Sequence, residues 1–289
     1  MTRPCLIIGH RGARGLFPEN TLAGFAGALA LGVDALELDV VLTADGMVVV
    51  SHDPALNPLI TRDATGRWLP WSGPFIRMMR ATELAAYDVG RLCPGTDYAR
   101  LFPEQSPRDG ERIPTLEQAL RLYNDARFVI ELKSVPGRPD MCAECEELAE
   151  AVIAVADRCG ATHRIMVEGF DWRGARHLHR MHPEVRVAWL TRAETVRDAA
   201  LWWGGPHPDD FGGSVPRAVA AEGGAVWGPD YADLTQDLVS EAHELGLLVM
   251  PWTVNAREDM ARLLRWGVDG IVTDRPDRAR LALTARDGN

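Results

Sequence analysis

Apolar, β-branched runs alternate along the chain with stretches of helical period. The strand-like runs are 5–9 (CLIIG), 35–40 (ALELDV), 47–51 (MVVVS), 128–133 (FVIELK), 164–168 (RIMVE), 185–190 (VRVAWL), 225–228 (AVWG), 247–252 (LLVMPW) and 270–273 (GIVT). Several are apolar on both faces, as strands of a covered parallel sheet are. Between most of them lie helix patterns. Leu22, Phe25, Ala26 and Leu29 share a stripe within 21–31. The segment 115–123 opens with TLEQ, in which Thr115 can cap the helix and Gln118 can reach back to it. Further helices are predicted at about 140–158, 171–181, 235–245, 256–266 and 275–284, and a short one around 82–88.

Strand–helix alternation through one chain predicts a closed parallel barrel, an irregular TIM (β/α)8 barrel, rather than two domains. There are nine strand candidates where the regular barrel needs eight. The extra one belongs to 41–51, where only Thr43–Gly46 separates two runs. Four residues suit a hairpin turn and cannot hold a helical crossover. Residues 54–113 then break the alternation with Pro, Gly, Trp and Arg. They read as an insertion after an early strand, within one catalytic barrel domain spanning 1–289. Trp68 and Trp71 in this insertion are expected to pack it onto the barrel or to touch substrate.

The polar residues fall where such a barrel collects its chemistry. His10 and Arg11 follow the first strand, Glu37 and Asp39 lie near the end of the second, His52 and Asp53 follow the third, and Glu131 and Lys133 close the fourth. The C-terminal strand ends of a barrel converge on one mouth. Glu37 and Asp39 are two apart, so they share a strand face. With Glu131 they form an all-oxygen set suited to a hard divalent ion, Mg²⁺ or Ca²⁺. The competing reading is that these acids make structural ion pairs with Arg11 and Lys133. His10 and His52 are candidate acid and base, since imidazole both takes and gives a proton near neutrality. Arg11 and Lys133 can neutralise phosphoryl oxygens, Arg through its planar fork and Lys as a point charge.

The formal net charge of −10 argues against a surface tuned to nucleic acid but allows a cationic pocket for a small phosphate ester. The five cysteines are odd in number and irregularly spaced, which points away from a disulfide framework and toward a reducing compartment. With no signal-peptide pattern and no long apolar run, a cytoplasmic location is expected, or a periplasmic one had a leader been removed. Cys142 and Cys145 form a lone CxxC within the helix predicted at 140–158. His177, His179 and His182 read as a solvated helix face.

GHRGARGLFPENTLAGF, ALELDVVLTADGMVVVSHD, RIPTLEQAL, IELK, PWTVN and GVDGIVTDRP resemble, in order and spacing, the signature of the glycerophosphodiester phosphodiesterase family, from Gly9 to Pro276. The resemblance implies that His10 and His52 are the paired histidines. It makes Glu37, Asp39 and Glu131 the metal-binding acids, and Arg11 and Lys133 the phosphate-contacting cations. It further implies that Glu19 is a support or substrate contact and that Trp252 is a wall for the glycerol or head group. After the fifth strand the family often has Ser-Phe-Asp. This chain reads Glu168-Gly169-Phe170-Asp171, which leaves Glu168 as a polar contact or extra ligand. The expected reaction is metal-dependent hydrolysis of a small glycerophosphodiester to sn-glycerol 3-phosphate and an alcohol, through a cyclic phosphate. A lysophospholipase D-type activity on the same barrel, or a non-catalytic phosphodiester-binding module, are the alternatives.

Overall fold

A computed structural model describes residues 5–287. Its strands are β1 (Leu6–Gly9), β2 (Ala35–Leu42), β3 (Val48–Val50), β4 (Phe128–Leu132), β5 (Ile165–Gly169), β6 (Arg186–Thr191), β7 (Val226–Pro229), β8 (Leu248–Val249) and β9 (Gly270–Thr273). The order is β8-β7-β6-β5-β4-β2-β1-β9, every neighbouring pair on this path is parallel, and β3 lies off the path, antiparallel to β2. The β8/β9 seam is bridged by three backbone bonds: Asp269 N–H to Val249 O (2.9 Å), Val272 N–H to Pro251 O (3.0 Å) and Val254 N–H to Val272 O (2.9 Å). The ring is therefore an eight-stranded TIM barrel with a hairpin arm, β2–β3, at one rim. The expected turn is there: Gly46 takes a φ of 74°, and the Thr43 hydroxyl bonds Asp45 and Met47 across it.

The helices are α1 (Leu22–Ala30), α2 (Ala81–Leu84), α3 (Asp97–Leu101), α4 (Leu116–Leu122), α5 (Cys145–Arg158), α6 (Trp172–Met181), α7 (Ala193–Arg197), α8 (Ala199–Trp202), α9 (Val215–Ala221), α10 (Gln236–Glu244), α11 (Arg257–Trp266) and α12 (Pro276–Asp287). Thr21 caps α1 and Thr115 caps α4, the latter with the predicted reciprocal bond from Gln118. One boundary differs from expectation. Helix α5 begins at Cys145 rather than near 140, because 135–142 is spent on two turns closed by Val135 and Arg138 carbonyls. Cys142 thus sits before the helix, and its sulfur accepts the Val135 N–H at 3.0 Å. Cys93, Cys142, Cys145 and Cys159 are free thiols.

Strand alternation divides the core into layers. Ile8, Ala35, Val129, Met166, Ala188, Val226 and Val272, each on a barrel strand, with Met250 one residue past β8, form an apolar plug at mid-height inside the barrel. The outward residues pack against the helices in the main core, with Phe25, Phe128, Trp172, Trp189 and Trp203 fully buried. A third cluster, Val41, Val49, Leu56, Ile76, Met79 and Leu84, anchors residues 54–113 to the hairpin. The tryptophans do not do this. Trp71 is 75% exposed, and Trp68 carries the Arg62 guanidinium over its ring at 5.6 Å. Aliphatic side chains supply the buried area instead. Among the described residues no helix is long and apolar enough to cross a membrane.

Candidate active site

Two residues beyond the apolar plug, the same inward-facing positions change character. They read His10, Glu37, Glu131, Glu168, Leu190, Gly228, Trp252 and Asp274. The register places Asp39, Glu131 and Glu168 side by side on β2, β4 and β5. A cavity of 420 Å³ opens above them, lined by both His10 and His52, with Arg11, Glu37, Glu131 and Lys133. Residues from four separate strand ends thus meet in one place.

Glu37, Asp39 and Glu131 each present an oxygen within 4.8 Å of the others. All three are buried, and Glu37 Oε1 and Asp39 Oδ1 have no hydrogen-bond partner. Burial and then the neighbouring acids push Glu37 well above the ordinary carboxylate range, and Glu168 likewise. Glu131 is also raised, by burial first, with Lys133 opposing. Burial would raise Asp39 too, but Arg11 and Lys133 outweigh it and hold it well below its usual value. A cluster that cannot hold all its charge alone, with Glu37 Oε1 left buried without a partner, fits a hard divalent cation.

The cations belong to the same network. Arg11 Nε lies 3.2 Å from Asp39 Oδ2, and Lys133 Nζ lies 2.7 Å from Glu131 Oε1 and 3.5 Å from Asp39 Oδ1. Arg11 adopts a φ of 49°, in the left-handed region, which costs about 1–3 kcal/mol for a residue with a side chain. That turn lets the Arg11 N–H reach Glu37 Oε2 at 2.7 Å, followed by Gly12 at a φ of 88°. Glu19 does not line the cavity. It stands behind Arg11, accepting from Nη1 at 2.8 Å, and is itself bonded by the Tyr98 hydroxyl of α3. Trp252 does line the cavity, its Nε1–H donating to Gly228 O (2.9 Å) and its ring edge-on to Phe170 at 5.4 Å.

Each histidine has its own carboxylate. His10 Nδ1 is 2.6 Å from Asp274 Oδ1, and His52 Nδ1 is 2.9 Å from Asp53 Oδ1. Burial would raise both acids, but contact with the imidazoles keeps each below the usual carboxylate range, and Arg14 adds to this at Asp274. Ionised carboxylates only accept, so each Nδ1 donates and each Nε2 is left for other work. His10 is buried, whereas the His52 side chain is 33% exposed.

Four contributors escaped the sequence reading. Asp274 follows β9 two positions after inward-facing Val272, so strand parity would have found it. Arg14, in the GHRGAR run, binds both Asp274 oxygens at 3.0 and 3.1 Å. Asn20, at a φ of 54°, donates to Asp39 Oδ2 at 2.8 Å from beside Glu19. Tyr98 carried no local signal, because its part depends on how the insertion folds back. In the histidine-rich stretch that closes α6, His177 and His182 share Glu150 at 2.6 and 3.1 Å.

Comparison with known proteins points the same way. The profile of the glycerophosphoryl diester phosphodiesterase family matches residues 10–278. A glycerophosphodiester phosphodiesterase of Caldanaerobacter subterraneus is 30% identical over 278 residues, covering 94% of this chain and 95% of that one. A crystal structure from Silicibacter pomeroyi, named for the glycerophosphoryl diester phosphodiesterases, superposes with a TM-score of 0.89 at 41% identity, covering 99% of this chain and 94% of the other. An Oleispira antarctica phosphodiesterase, solved with its product sn-glycerol-3-phosphate, shares the fold at a TM-score of 0.74 and 22% identity, with 96% of each chain covered. With the matched profile spanning nearly its whole length, this chain belongs to the glycerophosphoryl diester phosphodiesterase family.

Proposed function

We propose that the protein hydrolyses glycerophosphodiesters to sn-glycerol 3-phosphate and an alcohol, with Mg²⁺ or Ca²⁺ held by Glu37, Asp39 and Glu131. The observation that carries this reading is the single cavity shared by two carboxylate-held imidazoles, the buried acids and two fixed cations. The product found in the Oleispira relative supports the choice of substrate. When bound, such a cation supplies positive charge to a phosphoryl oxygen and makes a nearby hydroxyl more acidic.

The remaining work falls to the chain's own side chains. His10 Nε2 takes the proton of the glycerol 2-hydroxyl, because burial keeps the ring neutral and Asp274 fixes the proton on Nδ1. The hydroxyl oxygen attacks phosphorus, the bond to the alcohol breaks, and the leaving oxygen takes a proton from His52 Nε2. Arg11 and Lys133 offset charge on the phosphoryl oxygens as it develops. Water then opens the cyclic phosphate with the two histidines exchanging roles. His10→Ala and His52→Ala should each lower kcat by about 10²–10⁴-fold with an unchanged circular dichroism spectrum. Chelation should abolish turnover, and Mg²⁺ or Ca²⁺ should restore it. Full activity in excess chelator would remove the metal from this scheme.

A second substrate class has one observation in its favour. An apolar groove of 600 Å³ starts at Asp53 and runs along Pro54, Leu56, Leu59, Phe75 and Met141. That surface suits an acyl chain, as in a lysophospholipid. Comparing kcat/KM for glycerophosphocholine and lysophosphatidylcholine decides between them, and preference for the former leaves the groove without this role.

A further inference from the structure

The inward-facing positions two residues before the apolar plug lie at the opposite, N-terminal end of the barrel. Such positions are ordinarily filled by apolar side chains. Here β4 is preceded by Arg127, in phase with Val129, and β6 opens with Arg186, in phase with Ala188. Both line a cavity of 480 Å³ whose walls include Leu6, Ile8, Met166 and Met250. Strands β4 and β6 flank β5, so the two backbones are two strand spacings apart, about 10 Å. Arginine side chains from both sides can converge on one oxyanion across that gap.

The electrostatics are unusual for this molecule. Acidic residues outnumber basic ones by 41 to 31, and most arginines near the active site are tied to carboxylates. Arg127 and Arg186 have no side-chain hydrogen bond or ion pair among the described residues. Their neighbour Arg164 is already used, donating to the carbonyls of Leu120, Tyr123 and Ala126. Glu184, which also lines the cavity, lies 3.7 Å from His182. His163 adds a further donor at the rim.

We propose that this cavity is a second binding site, distinct from the active site, for a small organic anion. Its phosphate or carboxylate head lies between Arg127 and Arg186, and its short carbon body rests on Ile8, Met166 and Met250. Planar guanidinium forks suit such heads, and the apolar wall rewards the burial of a few methylenes.

Calorimetric titration of inorganic phosphate and n-butyl phosphate into the full chain tests this. The active site binds phosphate as well, so Lys133→Gln is titrated in parallel to weaken that event. The proposal expects n-butyl phosphate to bind Lys133→Gln at least tenfold more tightly than inorganic phosphate does. It expects Arg127→Gln/Arg186→Gln to lose that event while keeping wild-type turnover of glycerophosphodiesters. Both arginines are exposed, so this variant is expected to fold, and its melting temperature checks that it does. Unaltered n-butyl phosphate binding in the folded double variant would overturn the site. Equal affinity for the two probes would overturn the apolar subsite.

Discussion

Asp274 acts on His10 by removing a choice. An ionised carboxylate at Nδ1 leaves the lone pair on Nε2, facing the cavity. Asp274→Asn would offer an amide that can hold the other tautomer, so kcat should fall by about 10³–10⁴-fold, as the analogous change does in a serine protease triad. Steady-state kinetics with a retained melting temperature would show it, and an effect confined to KM would count against it. Burial of the same ring has a pH signature. Burial, the largest influence on His10, lowers its pKa; Asp274 raises it, and Arg14 and Arg11 lower it again, leaving it at about 4 against an ordinary 6.5. The unfolded chain therefore binds a proton at a pH where the native chain does not. The stabilisation is fully present above pH 6.5 and is lost as pH falls from 6.5 toward 4, by on the order of 3 kcal/mol. Urea unfolding at pH 7.5 and 4.5 measures this, and His10→Gln should flatten the difference.

The β2–β3 hairpin brings His52 to the mouth without a crossover helix, and Val41 and Val49 on its arms seat the insertion. The hairpin was legible because Thr43–Gly46 is too short for anything else. The insertion's fold was not. Helix α3 has five residues, too few for a helical period to show against background, and the short helix expected around 82–88 is confined to the four residues of α2. For the same reason α7 and α8 escaped the sequence reading, and α9 is only seven residues long with a proline in its first turn. Helix α3 nevertheless bears on the chemistry. Tyr98 bonds Glu19 and accepts from Arg14 at 3.2 Å, so it steadies two cations of the site from outside the barrel. Tyr98→Phe removes a hydrogen bond to a charged group and should lower kcat/KM by roughly tenfold. A variant with unchanged kinetics would leave α3 a purely structural element.

Across the molecule, the barrel was readable because its period is simple: apolar strands, intervening helices, and polar residues saved for the strand ends. The acids and histidines were readable for the same reason, each lying on or just past a strand. What the sequence could not display was which residues stand behind them, since Arg14, Asn20 and Tyr98 reach the site through loops and long-range folding. The eight-residue plug has a consequence for the architecture. It makes the barrel a tube stoppered once, near its middle, so each end is a separate basin with its own solvent. A single storey of aliphatic carbon keeps water and ions from passing between the two ends, and chemistry at each can diverge independently while drawing on the same staves.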